Sequence, residues 1–126
     1  MKIVLHGERP ISWNEMYSGI HWTKRKEEAD RVHHLIWVAI QEQRLKLQAR
    51  EYLVYSQRVD IHVTAYFKCR PQDPDNICSK MYIDGLIGDV IQNDTREFVR
   101  KVTVQSEIDK DNPRVEIEIT EIEYEY

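Results

Sequence analysis

Asp73-Pro74-Asp75-Asn76-Ile77-Cys78-Ser79-Lys80-Met81-Tyr82-Ile83-Asp84-Gly85-Leu86, followed by Asn93-Asp94, is the stretch around which the rest of the chain is read. Pro74 favours an extended Asp73, and Asp75 or Asn76 can cap a helix by accepting from its free N–H groups. The spacing therefore predicts a loop, then a helix ended by Gly85 or Gly88, then a second acidic turn. If the chain doubles back after the helix, Asp94 joins Asp73 and Asp75. Three carboxylates in one place call for a cation, and a hard divalent metal is the natural one.

The plainer reading is that Asp-Pro-Asp-Asn is only a good helix start. Against it stands the helix that should follow. At about 100° per residue, Asn76, Lys80 and Asp84 fall on one stripe, bordered by Ile77, Ile83 and Ile87. A lysine and an aspartate among isoleucines are expected to be partly buried and partnered, as in a cleft.

Working outward, the segment before this stretch reads as a strand. Val59, Ile61, Val63, Ala65 and Phe67 alternate with Asp60, His62, Thr64 and Tyr66, and deliver the chain into the acidic loop. Upstream, Thr23 to about Arg50 has no glycine or proline. Ala29, Val32, Ile36, Ala39 or Ile40, Gln43 and Leu47 recur at helical spacing, with Thr23 as a possible cap and Arg44, Lys46 and Arg50 favouring the dipole at the end. His33-His34 lie on this helix without ligand spacing. Lys2 to His6 reads as a short first strand. The Pro10-containing segment through His21-Trp22 reads as a loop whose Trp13, Tyr17 and Trp22 either pack beneath it or offer stacking surfaces, packing being the stronger expectation.

Downstream, Val102, Val104 and Ile108 alternate with Lys101, Thr103 and Gln105. After Asp111-Asn112-Pro113, Val115, Ile117 and Ile119 alternate with Glu116, Glu118 and Thr120. The two runs are expected to form an antiparallel hairpin. The parity then shifts at Ile122, Tyr124 and Tyr126, implying a bulge or a frayed tail. One-sided strands with two helices predict an α+β fold: one two-layer domain over residues 1–126, a mixed β-sheet with two helices packed on one face. A doubly wound fold would need more buried parallel strands.

Composition agrees with a single globular domain. The 126 residues are 41% hydrophobic and 32% charged, which excludes a disordered chain. No apolar run nears the roughly 20 residues that cross a bilayer, and no signal pattern opens the sequence. Cys69 and Cys78 lack a metal or redox motif and read as reduced thiols of a cytoplasmic protein. Residues 107–126 hold eight acidic residues against Lys110 and Arg114, so the rest of a chain of net charge −4 is slightly basic. Lys24-Arg25-Lys26, Lys68, Arg70 and Arg100 flank the acidic stretch in sequence, as cations that hold the phosphates of DNA around a metal would. Ordinary surface charge is the competing reading.

These motifs bring a family into view. Pro10-Ile11-Ser12-Trp13-Asn14, Asp73-Pro74-Asp75-Asn76 with Lys80 and Asp84-Gly85-Leu86, Asn93-Asp94, and the run Arg114 to Glu121 resemble the RusA family of Holliday junction resolvases over nearly the whole chain. The resemblance implies a magnesium-dependent endodeoxyribonuclease, a homodimer that nicks four-way DNA symmetrically in recombination and repair. It matches the catalytic aspartates to Asp73, Asp75 and Asp94 as Mg2+ ligands, and the essential lysine to Lys80. Asn76 and Asp84 would support them. The family's lysine lies three residues after the asparagine, whereas Lys80 lies four after Asn76, and its acidic pair is Asp-Asp rather than Asn93-Asp94. The alternative is a branched-DNA binding module of the same fold with weakened cleavage.

Overall fold

The structure, a computed structural model, describes residues 1–47 and 54–122. Four strands, β1 (Lys2–His6), β2 (Val59–Phe67), β3 (Val99–Ile108) and β4 (Arg114–Glu121), form one mixed sheet in the order β1-β4-β2-β3. Three helices, α1 (Trp13–Tyr17), α2 (Trp22–Leu47) and α3 (Lys80–Asp84), complete it with a 3-10 turn at Pro74–Asn76. The class is α+β. No helix among the described residues is long and apolar enough to cross a membrane.

Alternation puts one face of β1, β2 and β4 into the core; β3, at the edge of the sheet, buries Val99 and partly Val104, while Val102 and Ile108 are exposed, against the alternation expected of them. Ile3 and Leu5 of β1, Ile61, Val63, Ala65 and Phe67 of β2, and Val115, Ile117 and Ile119 of β4 are all buried together. From the other side α2 contributes Val32, Ile36 and Ile40, with Ala29, Leu35 and Ala39 partly buried against them. This is the expected helical stripe, and burying each large side chain contributes about 1.5–3 kcal/mol. Leu47's side chain and Arg50 lie outside the described residues. The helix starts at Trp22, not after a Thr23 cap: the Nδ1 of His21 accepts from the Thr23 N–H at 3.2 Å.

The expected hairpin between the last two strands does not exist. β3 pairs in parallel with β2, and β4 inserts between β1 and β2, antiparallel to both. Alternation shows which residues face the core but not which strand is the neighbour, and β2, buried at most of its positions, takes a partner on each side. The Asp109–Pro113 segment therefore passes the end of β2, held by Arg114, which donates to the Asp109 carboxylate and the Asn112 carbonyl at 2.8 Å each. The shift in parity falls at the strand end: β4 stops at Glu121 and Ile122 N–H donates to the Arg58 carbonyl at 3.0 Å, while Tyr124 and Tyr126 lie outside the described residues.

The loop that was expected over residues 9–22 contains a helical turn. Ser12 caps α1 by accepting from Glu15 N–H at 3.0 Å, and its hydroxyl meets the Glu15 carboxylate at 3.1 Å. This is a Ser-x-x-Glu capping box. Just before it, Glu8 is buried and held by both terminal nitrogens of Arg31, each at 2.9 Å, tying the chain after β1 to the first half of α2.

Candidate functional site

β2 ends at Phe67 and hands the chain to Lys68, Cys69 and Arg70, all exposed, with Arg70 in the left-handed region at φ 51°. The following residue pair is anchored from two sides. Gln72 donates to the Pro10 carbonyl at 2.8 Å, and Ser106 on β3 donates to the Gln72 carbonyl at 2.5 Å. Asp73 thereby sits at a groove of about 430 Å³ formed with Pro71, Pro74, Ser106, Glu107 and Ile108. The side-chain Oε1 of Gln72 is buried with no donor, a place where a water or hydrated ion would find a partner.

The continuous helix expected from Asp75 or Asn76 to Gly85 is broken in two. Pro74–Asn76 form one 3-10 turn, for which Asp73 makes no side-chain cap. Neither Asp75 nor Asn76 caps α3, whose first turn is preceded by Ser79. The break is forced by burial: Ile77 and Cys78 run extended into the core, Ile77 bridges Ser12, and Cys78 N–H donates to the Ile11 carbonyl at 3.1 Å. Asn76 consequently leaves the Lys80 stripe. Its Oδ1 accepts from Asn14 N–H at 3.3 Å, joining the acidic turn to α1.

Lys80 and Asp84 remain on one helical face and form an ion pair at 3.4 Å, with side chains 53% and 30% exposed. The nearby Asp84 charge raises the Lys80 ammonium above the usual lysine value, and Tyr17 and Asp94 add to the effect. Asp94 thus lies within the electrostatic reach of Lys80. The chain does double back, through a turn in which Gly88, at φ 89°, donates to the Ile91 carbonyl at 2.7 Å. Among the described residues, however, no three His, Cys, Asp or Glu side chains stand close enough to enclose one ion.

What fits a hard cation is the donor chemistry. Asp73, Asp75 and Asp94 are exposed and make no ion pair with any described residue, whereas Asp30, Asp60, Asp84 and Asp109 are each answered by a lysine or arginine. No protein-family model, curated protein or solved structure matches this chain. The site therefore stands on its own geometry.

The basic residues divide. Arg25 and Lys26 line a cleft of about 300 Å³ with Tyr17, Lys80 and Asp84, so this part of the Lys24 to Lys26 run is brought to the lysine of the site. Lys24 is exposed nearby on the same helix, while Lys26 is paired with Asp30 at 3.3 Å. Lys68 and Arg70 belong to the loop that precedes Asp73. Arg100 is elsewhere: it grips Asp60 with Nε at 3.0 Å and Nη2 at 2.5 Å, at the opposite end of β2 from the acidic loop. Asp60 and Phe67 are seven residue steps apart along the strand, roughly 23 Å at strand rise.

Sequence reasoning missed three parts of this region. Gln72 has no motif that would mark it. The Glu8–Arg31 clamp joins residues 23 apart and leaves no local signal. The Ser12–Glu15 capping box was legible and points to α1. Trp13 is partly buried, as packing predicts, but Tyr17 and Trp22 are 48% and 62% exposed, which corrects the expectation for those two rings.

Proposed function

We propose that this chain is a RusA-like, magnesium-dependent endodeoxyribonuclease that resolves four-way DNA junctions. The observation that carries the reading is three exposed aspartates, Asp73, Asp75 and Asp94, that make no ion pair with a described residue, one of them, Asp94, within the electrostatic reach of Lys80. Asp73, Asp75 and Asp94 would hold Mg2+. When bound, the ion would polarise the scissile phosphate and activate a water. Lys80 Nζ, kept charged by Asp84, would stabilise negative charge on that phosphate, with Asp84 acting as a positioning residue. Lys24, Arg25, Lys26, Lys68 and Arg70 would hold flanking phosphates without reading sequence.

A four-way junction has two-fold symmetry, and a homodimer would present two such sites. The open outer edge of β3 supports this assembly. Antiparallel pairing of two β3 strands centred on Val104 sets Lys101 opposite Glu107 twice, a self-complementary charge pattern. A cytoplasmic location would suit such an enzyme, with Cys69 and Cys78 as thiols.

The test is a nicking assay on a labelled synthetic four-way junction and a matching linear duplex, with and without magnesium, for wild type and Asp75→Asn. Symmetric, magnesium-dependent nicks confined to the junction and lost in the variant are expected. A second reading, a junction-binding module without cleavage, is favoured by the absence of a three-carboxylate group among the described residues; it gives junction binding by both proteins and no nicks.

A further inference from the structure

The cleft beside Lys80 opens onto a strip that cleavage does not require. Trp22, Arg25, Lys26 and Ala29 recur at helical spacing and share one face of α2. Arg25, Lys26 and Ala29 line the cleft, so Trp22, one turn earlier, stands at its outer end. Across from Arg25 lies Tyr17, whose ring is 5.7 Å from the guanidinium carbon and is backed by Trp13, stacked at 5.4 Å. Among the described residues Arg25 makes no ion pair; the Tyr17 ring is its recorded partner.

Tyr17 and Trp22 expose 48% and 62% of their surface beside Lys24, Arg25 and Lys26, so aromatic and cationic groups are interleaved here. A polar peptide would satisfy the charge but not the ring faces, and an apolar partner would bury Arg25 without a counter-charge. Flat apolar rings spaced along an anionic backbone satisfy both. Tyr17 is held in place by the stacked Trp13, and a base reaches its ring by taking the place of the Arg25 guanidinium, which then turns to the adjoining phosphate.

We propose that the Tyr17–Trp22 strip binds single-stranded DNA, the bases stacking on these two rings while Arg25 holds a phosphate between them. The inference deepens the nucleic-acid reading of the neighbouring site and rests on its DNA-binding half, not on cleavage. It places an unpaired strand on the side of Lys80 towards Trp22. Recognition of a branched substrate would then include capture of bases freed from the duplex, with no need for sequence readout.

The test uses fluorescence anisotropy of labelled oligothymidine about 12 nucleotides long, within the usual site size, in buffer without divalent ions. An abasic strand of equal length is the control that keeps charge and removes bases. Wild type is expected to prefer oligothymidine by at least about fivefold, and Trp22→Leu and Tyr17→Leu each to lose roughly five- to a hundredfold for it. The abasic strand should bind all three proteins alike, and Trp22→Phe should retain the preference because a ring remains. Both replaced side chains are exposed, and circular dichroism of Trp22→Leu checks that α2 is intact. Equal wild-type affinity for the two strands, or leucine variants that keep the preference, would overturn the strip while leaving charge-based DNA binding. Absence of binding to either strand overturns the strip and the DNA reading together. Base-dependent binding in a protein that never nicks a junction upholds the strip and removes the endonuclease.

Discussion

Replacing Arg31 by methionine strikes at a carboxylate that has no other cation partner among the described residues. Glu8 follows β1 with its side chain 2% exposed, and both its oxygens are met by Arg31 at 2.9 Å. Arg31 also reaches Glu28 at 2.5 Å, and the Glu28 and Glu8 carboxylates together raise its guanidinium above the usual arginine value. Methionine keeps much of the stem packing and removes the charge, leaving Glu8 buried without compensation. Such a loss costs about 3–5 kcal/mol in a fully buried pair. Arg31 is 44% exposed, so water can reach the vacated position, and the cost should fall to about 2–3 kcal/mol.

Urea unfolding followed by circular dichroism should then show the midpoint lowered by about 1–2 M for a domain of this size. The double variant Glu8→Leu/Arg31→Met removes the stranded carboxylate and should recover most of the loss, a coupling of about 2 kcal/mol in the double-mutant cycle. A single-variant cost under about 0.5 kcal/mol, or strictly additive effects, would refute the argument that this pair clamps α2 to the chain after β1.

Three further outcomes are expected. Gly88→Ala puts a side chain at φ 89° and should cost about 1–2 kcal/mol in urea unfolding, whereas a neutral result would mean the turn relaxes. The Asp60 carboxylate is held below its ordinary value by Arg100; burial pushes Glu116 up, but hydrogen bonds from Lys2 and Tyr66 outweigh it and lower it overall. Folded values below unfolded ones stabilise above the ordinary carboxylate range and are lost as pH falls through the folded values, so the urea midpoint should hold from pH 7 to about 5 and drop below about 4; Lys2→Met should lower the midpoint at pH 7 and make the acid drop smaller, and an unchanged profile would count against the Glu116 pair. Lys101→Glu should abolish a β3-to-β3 dimer in analytical ultracentrifugation and the added Glu107→Lys should restore it, while a dimer indifferent to both would place the interface elsewhere.

The fold was legible wherever one residue's neighbours in sequence decide its environment. β1, β2, β4 and the long helix follow from alternation and helical spacing, because a half-buried strand and an amphipathic helix each write their period into the chain; β3 is a strand as expected, but its Val102 and Ile108 face out rather than into the core. Strand order was not legible: Val115, Ile117 and Ile119 face the core equally well beside β3 or between β1 and β2. The acidic stretch reads as one helix in sequence because Asn76, Lys80 and Asp84 satisfy helical spacing behind a cap candidate at Asp75. Ile77 and Cys78, which fit the same spacing, are instead drawn into the core as extended chain. The Lys80–Asp84 pair survived the break because both residues lie after it. The pocket around Gln72 depends on Pro10 and Ser106 arriving from distant segments, which no local pattern records.

The position of β4 has a consequence for how the chain comes into being. β4, the latest in sequence of the described strands, occupies the middle of the sheet, bonded to β1 on one side and β2 on the other. Until residues 114–121 emerge from the ribosome, β1 lacks the strand it pairs with, and Ile3 and Leu5 lack the sheet they are buried in. The sheet must therefore wait for this segment before closing, as high-contact-order sheets do. A frameshift or early stop before Arg114 would leave β1 and the β2–β3 pair with nothing to join them, a substrate for proteases rather than a shortened version of the fold.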